Sequence, residues 1–155
     1  MVRGKLLKQG DDLTDALYIR NEVFVKEQHC SAENEFDEWD PKAIHAVAYD
    51  GEGKPVATGR LLLDDNLDFY IGRVAVLKEY RHQKYGDFIV RLLVDQAFQC
   101  AASVIYIHAQ MTAVPFYEKL GFAAEGDVFL EENIEHIKMS LKRGAMKTAC
   151  GHCVG

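Results

Sequence analysis

No stretch of this chain approaches the roughly 18 consecutive apolar residues of a membrane-spanning helix. The opening residues, MVRGKLLKQGDD, hold no apolar segment long enough for a secretory signal. Positive charge is also scarce. Eighteen Lys and Arg stand against 24 Asp and Glu, a net charge of −6, with a pI near 5.5. That balance argues against general nucleic-acid binding and leaves room only for a local basic pocket. Internal repeats and linker-like stretches are missing too. The expectation is a single cytoplasmic domain with no membrane or nucleic-acid partner. Its 155 residues suffice to bury about two-thirds of the unfolded surface.

Cysteine is sparse and divided. Cys30 and Cys100 stand alone and read as reduced thiols, Cys100 on the core side of a helix. Cys150 and Cys153 form CGHC in KRGAMKTACGHCVG. The spacing suits redox or metal chemistry, but the tail has no periodic pattern and offers no further ligands. Residues 143–155 are therefore expected to be a flexible tail behind a domain of residues 1–142, with no metal.

The most informative stretch is IGRVAVLKEYRHQKYGDFIVRLLVDQAF, residues 71–98. Ile71, Val74 and Val76 suit a buried strand. Leu77–His82 breaks that pattern with charge. From Tyr85 apolar residues return at helical spacing: Phe88 and Ile89, Leu92 and Leu93, Ala97, Cys100. A strand–loop–helix turn leaves the first helical N–H groups unpaired at the positive end of the helix dipole, where phosphate binds well. Arg81, His82 and Lys84 gather cationic or titratable groups there. Gly86 lets backbone approach a ligand.

Around this stretch, Lys5–Lys8 reads as a strand, and Gly10–Asp12 as a turn and cap before a helix reaching Phe24. HCSAENEFDEWDPK is either a short irregular helix or a loop over a pocket. Ala43–Asp50 and Pro55–Leu63 form a hairpin across Gly51–Lys54, and a further strand opens at Phe69. Ser103–Ala109 follows the long helix as a parallel strand of a right-handed βαβ unit. Ala113–Leu120 is a short helix stopped by Gly121. Phe122–Leu130 and Ile134–Leu141 form a last hairpin, with Ile137, Met139 and Leu141 on one face. The predicted fold is α+β: a mixed, mostly antiparallel sheet of about seven strands with helices packed on it.

VAVLKEYRHQKYG followed by a long helix resembles the coenzyme A-binding motif of the GNAT family of N-acetyltransferases, V-x-x-x-x-R-x-x-G-x-G/A. QMTAVPFYEKLGF resembles that family's second signature, N-x-x-A-x-x-F-Y-x-K-x-G-F. The two occur in the family's order, and the resemblance covers roughly residues 3–142. IRNEVFVKEQ, EFDEWD, His45, HAQ at 108–110 and EENIEHIKM are similar to the small bacterial ElaA/YjcF-type acyltransferases. The resemblance implies helices on both sheet faces and a central splayed pair of fourth and fifth strands. It also implies acetyl-CoA as co-substrate and an amine acceptor. Its cofactor residues would be Val74, Ala75 and Val76 along the strand, and Arg81, His82, Gln83, Lys84, Tyr85, Gly86 and Asp87 in the loop. Gln110, Phe116, Tyr117 and Lys119 complete the set. Two positions depart from the pattern: Lys84 replaces the first loop glycine, where it can crowd the pyrophosphate or contact it, and Gln110 replaces Asn.

Acetyl transfer to an amine needs a base for the ammonium, a polarised carbonyl and a proton for the leaving thiolate. Tyr117 matches the family's general acid and also reads as a tyrosine packing on coenzyme A. Candidates for the base are Glu27, Glu35, Asp37, His45, His108 and His136. His108, two residues before Gln110 on a strand, faces the same side as it and is the choice. Glu35, Asp37 and Trp39, in the acidic loop, are expected to bind a cationic amine, or else to be a solvated loop with Trp39 as its anchor. The alternative to an enzyme is a non-catalytic acyl-CoA sensor of the same fold. A thiol oxidoreductase acting through CGHC is a third reading. Small enzymes of this kind are often homodimers.

Overall fold

The computed structural model describes residues 2–147. The β-branched and alternating segments form β1 (Arg3–Leu7), β2 (Ile44–Tyr49), β3 (Pro55–Leu63), β4 (Phe69–Val76), β5 (Val104–Gln110), β6 (Ala123–Glu131) and β7 (Ile134–Lys142). They join in one mixed sheet in the order β1-β2-β3-β4-β5-β7-β6. Only β4 and β5 run parallel; every other neighbouring pair is antiparallel. β1 begins two residues earlier than the sequence pattern indicated.

Helices cover both faces. On one, α3 (Tyr85–Gln99) and α4 (Val114–Leu120) bury Ile89, Leu93, Ala97, Tyr117 and Leu120 against Ala46, Ala48, Ile71, Ile105, Ile107, Met139 and Leu141. On the other, α1 (Thr14–Arg20) runs into a wider π-type turn over Asn21–Glu27. Together these bury Ala16, Ile19, Val23 and Phe24 against Leu7, Val47, Ala75 and Leu77. The acidic segment holds one short helix, α2 (Ala32–Glu35). Gly59 lets α3 settle on β3: a Cβ there would stand 2.7 Å from Ile89 and 2.8 Å from Leu93.

β4 changes face partway along. Thr58 pairs with Ala75 and Arg60 with Gly72, so Gly59 alone stands opposite Arg73 and Val74. Such a bulge bends a strand and re-aims its side chains. Arg73 sits at φ 52°, and Ile71 and Ala75 consequently enter opposite cores. β4 pairs with β5 only from Phe69 to Ile71. Beyond that point the two strands separate.

A buried charge network ties the helical layer to the bulge. Arg20 is fully buried; its Nε meets Glu35 at 2.9 Å and its Nη1 meets Asp40 at 2.8 Å. Arg60 reaches Asp37 at 2.7 Å and Asp40 at 2.9 Å. Arg73 reaches Glu35 at 3.1 Å and Asp37 at 3.2 Å. Burial pushes the Asp40 carboxyl up, but hydrogen bonds and charge from Arg20 and Arg60 outweigh it and bring it down to about 2. Burial raises the Glu35 carboxyl despite its arginine partners.

Two expectations need correction. Cys100 caps the end of α3 and is exposed rather than core-facing. The tail does not come loose at residue 143. Arg143 N–H donates to Ser103 O (3.0 Å), Lys147 N–H donates to Leu120 O (2.9 Å), and Arg91 donates to Lys147 O (2.6 Å). The CGHC sequence lies outside the described residues.

Removing the Asp40 charge leaves Arg20 and Arg60 under-neutralised. Asp40→Asn should cost about 3–5 kcal/mol in denaturant unfolding at pH 7. The folded carboxyl titrates below its unfolded value of about 3.9. Its contribution is therefore present above about pH 4 and is lost as pH falls toward about 2, so the difference between variant and wild type should narrow in that range.

Candidate active site

The separation of β4 and β5 opens a gap, and the groups with chemical potential lie at its two ends. At one end is the start of α3. Lys84 occupies the N-cap with φ 69° and no side chain caps the helix, so the first N–H groups keep their anion-binding capacity. His82 is left-handed as well, at φ 64°. His82, Gln83 and Lys84 are exposed. A Cβ on Gly86 would stand 3.5 Å from both Phe116 and Val76. The loop, the end of β4 and α4 thus converge, bringing together Val76, Gly86 and Phe116.

Several of the cofactor residues expected from the sequence are engaged differently. Arg81 grips Glu27 with two 2.7 Å bonds, and its Nε–H donates to the Val76 carbonyl at 3.0 Å. That carbonyl, expected to face a ligand, is already used to close the loop. The Tyr85 side chain is buried in the core, leaving only its backbone at the helix start. Ala75 points into the opposite core. Asp87 is paired with Arg91. The Gln110 amide donates to Gln28 Oε1 at 2.9 Å. Lys119 lies exposed on α4. Tyr117 is buried between Phe116 and Phe122, at ring-centroid distances of 4.9 and 5.7 Å, and burial pushes its phenol well above the ordinary value.

At the other end lies a cavity of about 320 Å³, lined among others by Gln28, Glu35, Arg73, Gln110, Glu131 and His136. Glu131 stands between two histidines: His108 Nδ1 at 3.4 Å and His136 Nε2 at 3.7 Å. The His108 hydrogen bond holds the Glu131 carboxyl below its usual range. His136 Nδ1–H donates to Ile134 O at 2.7 Å. Since a carbonyl only accepts, the neutral ring presents its bare Nε2 toward Glu131.

The expected base and acceptor residues are redistributed. His108 and Gln110 do share a face of β5, but His108 sits behind Glu131, outside the cavity lining. Glu27 is held by Arg81, whose hydrogen bond lowers its carboxyl. His45 is fully buried, its Nε2–H donates to Asp40 O at 2.9 Å, and burial pushes its ring pKa down. It is a structural residue. Glu35 and Asp37 are neutralised by Arg20, Arg60 and Arg73. Glu35 reaches the cavity only as part of that network, and Asp37 does not line it. Trp39 lies off the cavity, with Lys42 over its ring at 5.5 Å. Glu131, Glu132 and Gln28 escaped the sequence reading. Among the described residues no cluster of His, Cys, Asp and Glu is placed to hold a metal ion, and no helix is long and apolar enough to cross a membrane.

A sheet parted at one parallel pair, with an uncapped helix start on one side and a charged cavity on the other, is the framework of a coenzyme A-dependent acyltransferase. Residues 10–143 match the family model for the acetyltransferase (GNAT) domain, and the chain belongs to the GNAT family. It is 40% identical over 139 residues to the uncharacterized N-acetyltransferase YjcF of Bacillus subtilis, covering 89% of this chain and 98% of that one. Escherichia coli ElaA superposes with a TM-score of 0.82 at 26% identity, over 92% of this chain and 100% of the other. An acyl-CoA N-acyltransferase from Pseudomonas aeruginosa does so with a TM-score of 0.78 at 29% identity, over 91% and 99%. The protein is an acyltransferase that takes a coenzyme A thioester as co-substrate.

Lys84 holds a left-handed backbone that glycine adopts without penalty. Lys84→Gly should raise stability by about 0.5–1 kcal/mol, the left-handed strain less the extra entropy of glycine in the unfolded chain. Thermal or denaturant melts will show it.

Proposed function

We propose that this protein moves an acetyl group from acetyl-CoA directly to a primary amine. The observation that carries the reading is the β4–β5 gap, which joins the uncapped start of α3 to a cavity edged by Glu131, Glu132 and His136. Pyrophosphate suits the amides of Tyr85–Asp87 and the Lys84 ammonium. Arg81, already tied to Val76 and Glu27, keeps that loop in place. The unpaired stretch of β4 offers backbone groups to the pantetheine amides.

The cavity supplies the second half. Glu131 and Glu132 favour a cationic acceptor, while the Arg73 charge is taken up by Glu35 and Asp37. His136 Nε2 takes the ammonium proton, and Glu131 steadies the imidazolium that results. The freed nitrogen bonds to the thioester carbonyl carbon and the carbon–sulfur bond breaks. Two protons leave nitrogen; one ends on sulfur and one is released. Tyr117, kept protonated by burial, donates to the departing sulfur, whose own proton affinity rises in the same apolar surroundings, and the phenolate is reprotonated by the second proton leaving nitrogen. Direct transfer fits the one cysteine in the cavity: burial, chiefly, and the charges of Glu132 and Glu35 push the Cys30 thiol up, away from the thiolate that an acyl-enzyme would need.

Calorimetric titration with acetyl-CoA, followed by thiol release with a panel of amines, tests the reading. Wild type should bind in the micromolar range and Lys84→Glu about tenfold more weakly, one lost charge contact. Tyr117→Phe should keep its affinity and lose about 100-fold in kcat, the lower end of general-acid effects. A Tyr117→Phe enzyme turning over at the wild-type rate would remove the phenol from the chemistry. Absence of acetyl-CoA binding would overturn acetyl as the transferred group.

A further inference from the structure

The sheet face beyond the cavity carries a row of aromatic rings that belongs to neither core. Tyr70 and Tyr106 sit side by side on β4 and β5, with ring centroids 5.4 Å apart. His108 meets Tyr70 edge-on at 5.4 Å and Phe129 at 5.0 Å. Phe129 stacks on His136 at 5.9 Å, which returns the row to the cavity wall. Tyr70, Tyr106 and Phe129 pack against neither buried cluster and are half-exposed. Helices α1 and α2 shield the β1–β4 half of this face and leave the β5–β7–β6 half bare.

Charge gives the row a direction. The cavity end has Glu131 and Glu132. The far end is closed by Lys138, whose ammonium lies 4.2 Å from the centre of the Tyr106 ring and 5.7 Å from that of Tyr70. From Gln110 to Tyr106 the strand spans about 13 Å at roughly 3.3 Å per residue. A ligand along this line meets carboxylate, then aromatic surface, then ammonium.

We infer that the acceptor is an arylalkyl monoamine: one ammonium head in the cavity, with a flat apolar body lying on Phe129, His108 and Tyr70. Ring-on-ring contact favours such a body beyond simple area burial. Lys138, its charge offset in part by Glu125 across the β6–β7 pair, disfavours a second cationic group at the far end, so linear polyamines bind more weakly. This inference rests on the amine-acceptor reading above.

Binding of phenethylamine, butylamine and spermidine, followed by calorimetry with coenzyme A present, judges the row independently of turnover. Phenethylamine should bind about tenfold more tightly than butylamine, the scale of one or two aromatic contacts. Phe129→Ala and Tyr70→Ala, each checked by thermal melting for an intact fold, should erase most of that preference. Lys138→Glu should admit spermidine several-fold better. Equal affinity for phenethylamine and butylamine overturns the inference, as does a preference that survives both alanine variants. A dimer in light scattering that Tyr70→Glu dissociates would also overturn it, by showing the row covered by a second copy. Acetyl-CoA titrated alone reports on the acetyltransferase reading, so its failure is seen separately from the failure of the row.

Discussion

One irregularity in β4 governs the rest of the molecule. With Arg73 and Val74 together facing Gly59, the strand reverses its inside and outside halfway along. Before the bulge Ile71 packs toward α3; after it, Val74 and Val76 take that side and Ala75 turns to the other core. The left-handed backbone at Arg73 costs about 1–2 kcal/mol, and it aims the guanidinium at Glu35 and Asp37. A regular β4 would continue its ladder with β5, and there would be no gap to hold a substrate. Arg73 would also be turned away from its carboxylates.

The charge network is the other half of that constraint. Three arginines and three carboxylates balance, so the interior carries little net charge, but desolvation makes such groups a weak source of stability. Their value is positional. Arg20 comes from α1, Arg60 from β3 and Arg73 from the bulge, and all three converge on the segment from Glu35 to Asp40. That segment carries Phe36, with the Arg20 guanidinium over its ring at 5.2 Å, and three carboxylates that the arginines neutralise. Held by arginines, it sets its first residue, Glu35, in the cavity wall.

Much of the fold was legible because the element periods are clear. The β4–α3–β5 unit, the two hairpins and the short α4 with its Gly121 stop lie where spacing put them, within a residue or two. Even the bulge left a trace: Ile71 is odd-numbered while Val74 and Val76 are even, which no regular strand can place on one face. The acidic loop was misread for a physical reason. Its carboxylates are adjacent in the chain, whereas their partners lie 15 to 38 residues away, and local sequence does not reveal pairing across that distance. The Lys84 conformation was marked only by the motif, which has glycine at that position, since propensity alone argues against lysine in left-handed backbone. His136 was one base candidate among six, and Glu131 escaped, because their meeting depends on the register of β6 against β7, set by a shift between Glu125 and Phe129.

The two ends of the gap were unequally legible because they recognise different things. Binding a phosphate-bearing co-substrate needs backbone amides at a helix start, and that geometry imposes a short contiguous pattern on the chain. Choosing an acceptor needs side chains converging from whatever elements border the cavity: here β4, β5, β6, β7 and the π-type turn. Nothing requires those residues to be near one another in sequence. The coenzyme end is therefore written locally, and the acceptor end is written in the packing. The π-type turn shows how the two are joined: its last residue, Glu27, binds Arg81 of the coenzyme loop, and the next, Gln28, binds Gln110 of the acceptor cavity. A wider helical turn at that point sets consecutive residues to serve opposite ends of the gap.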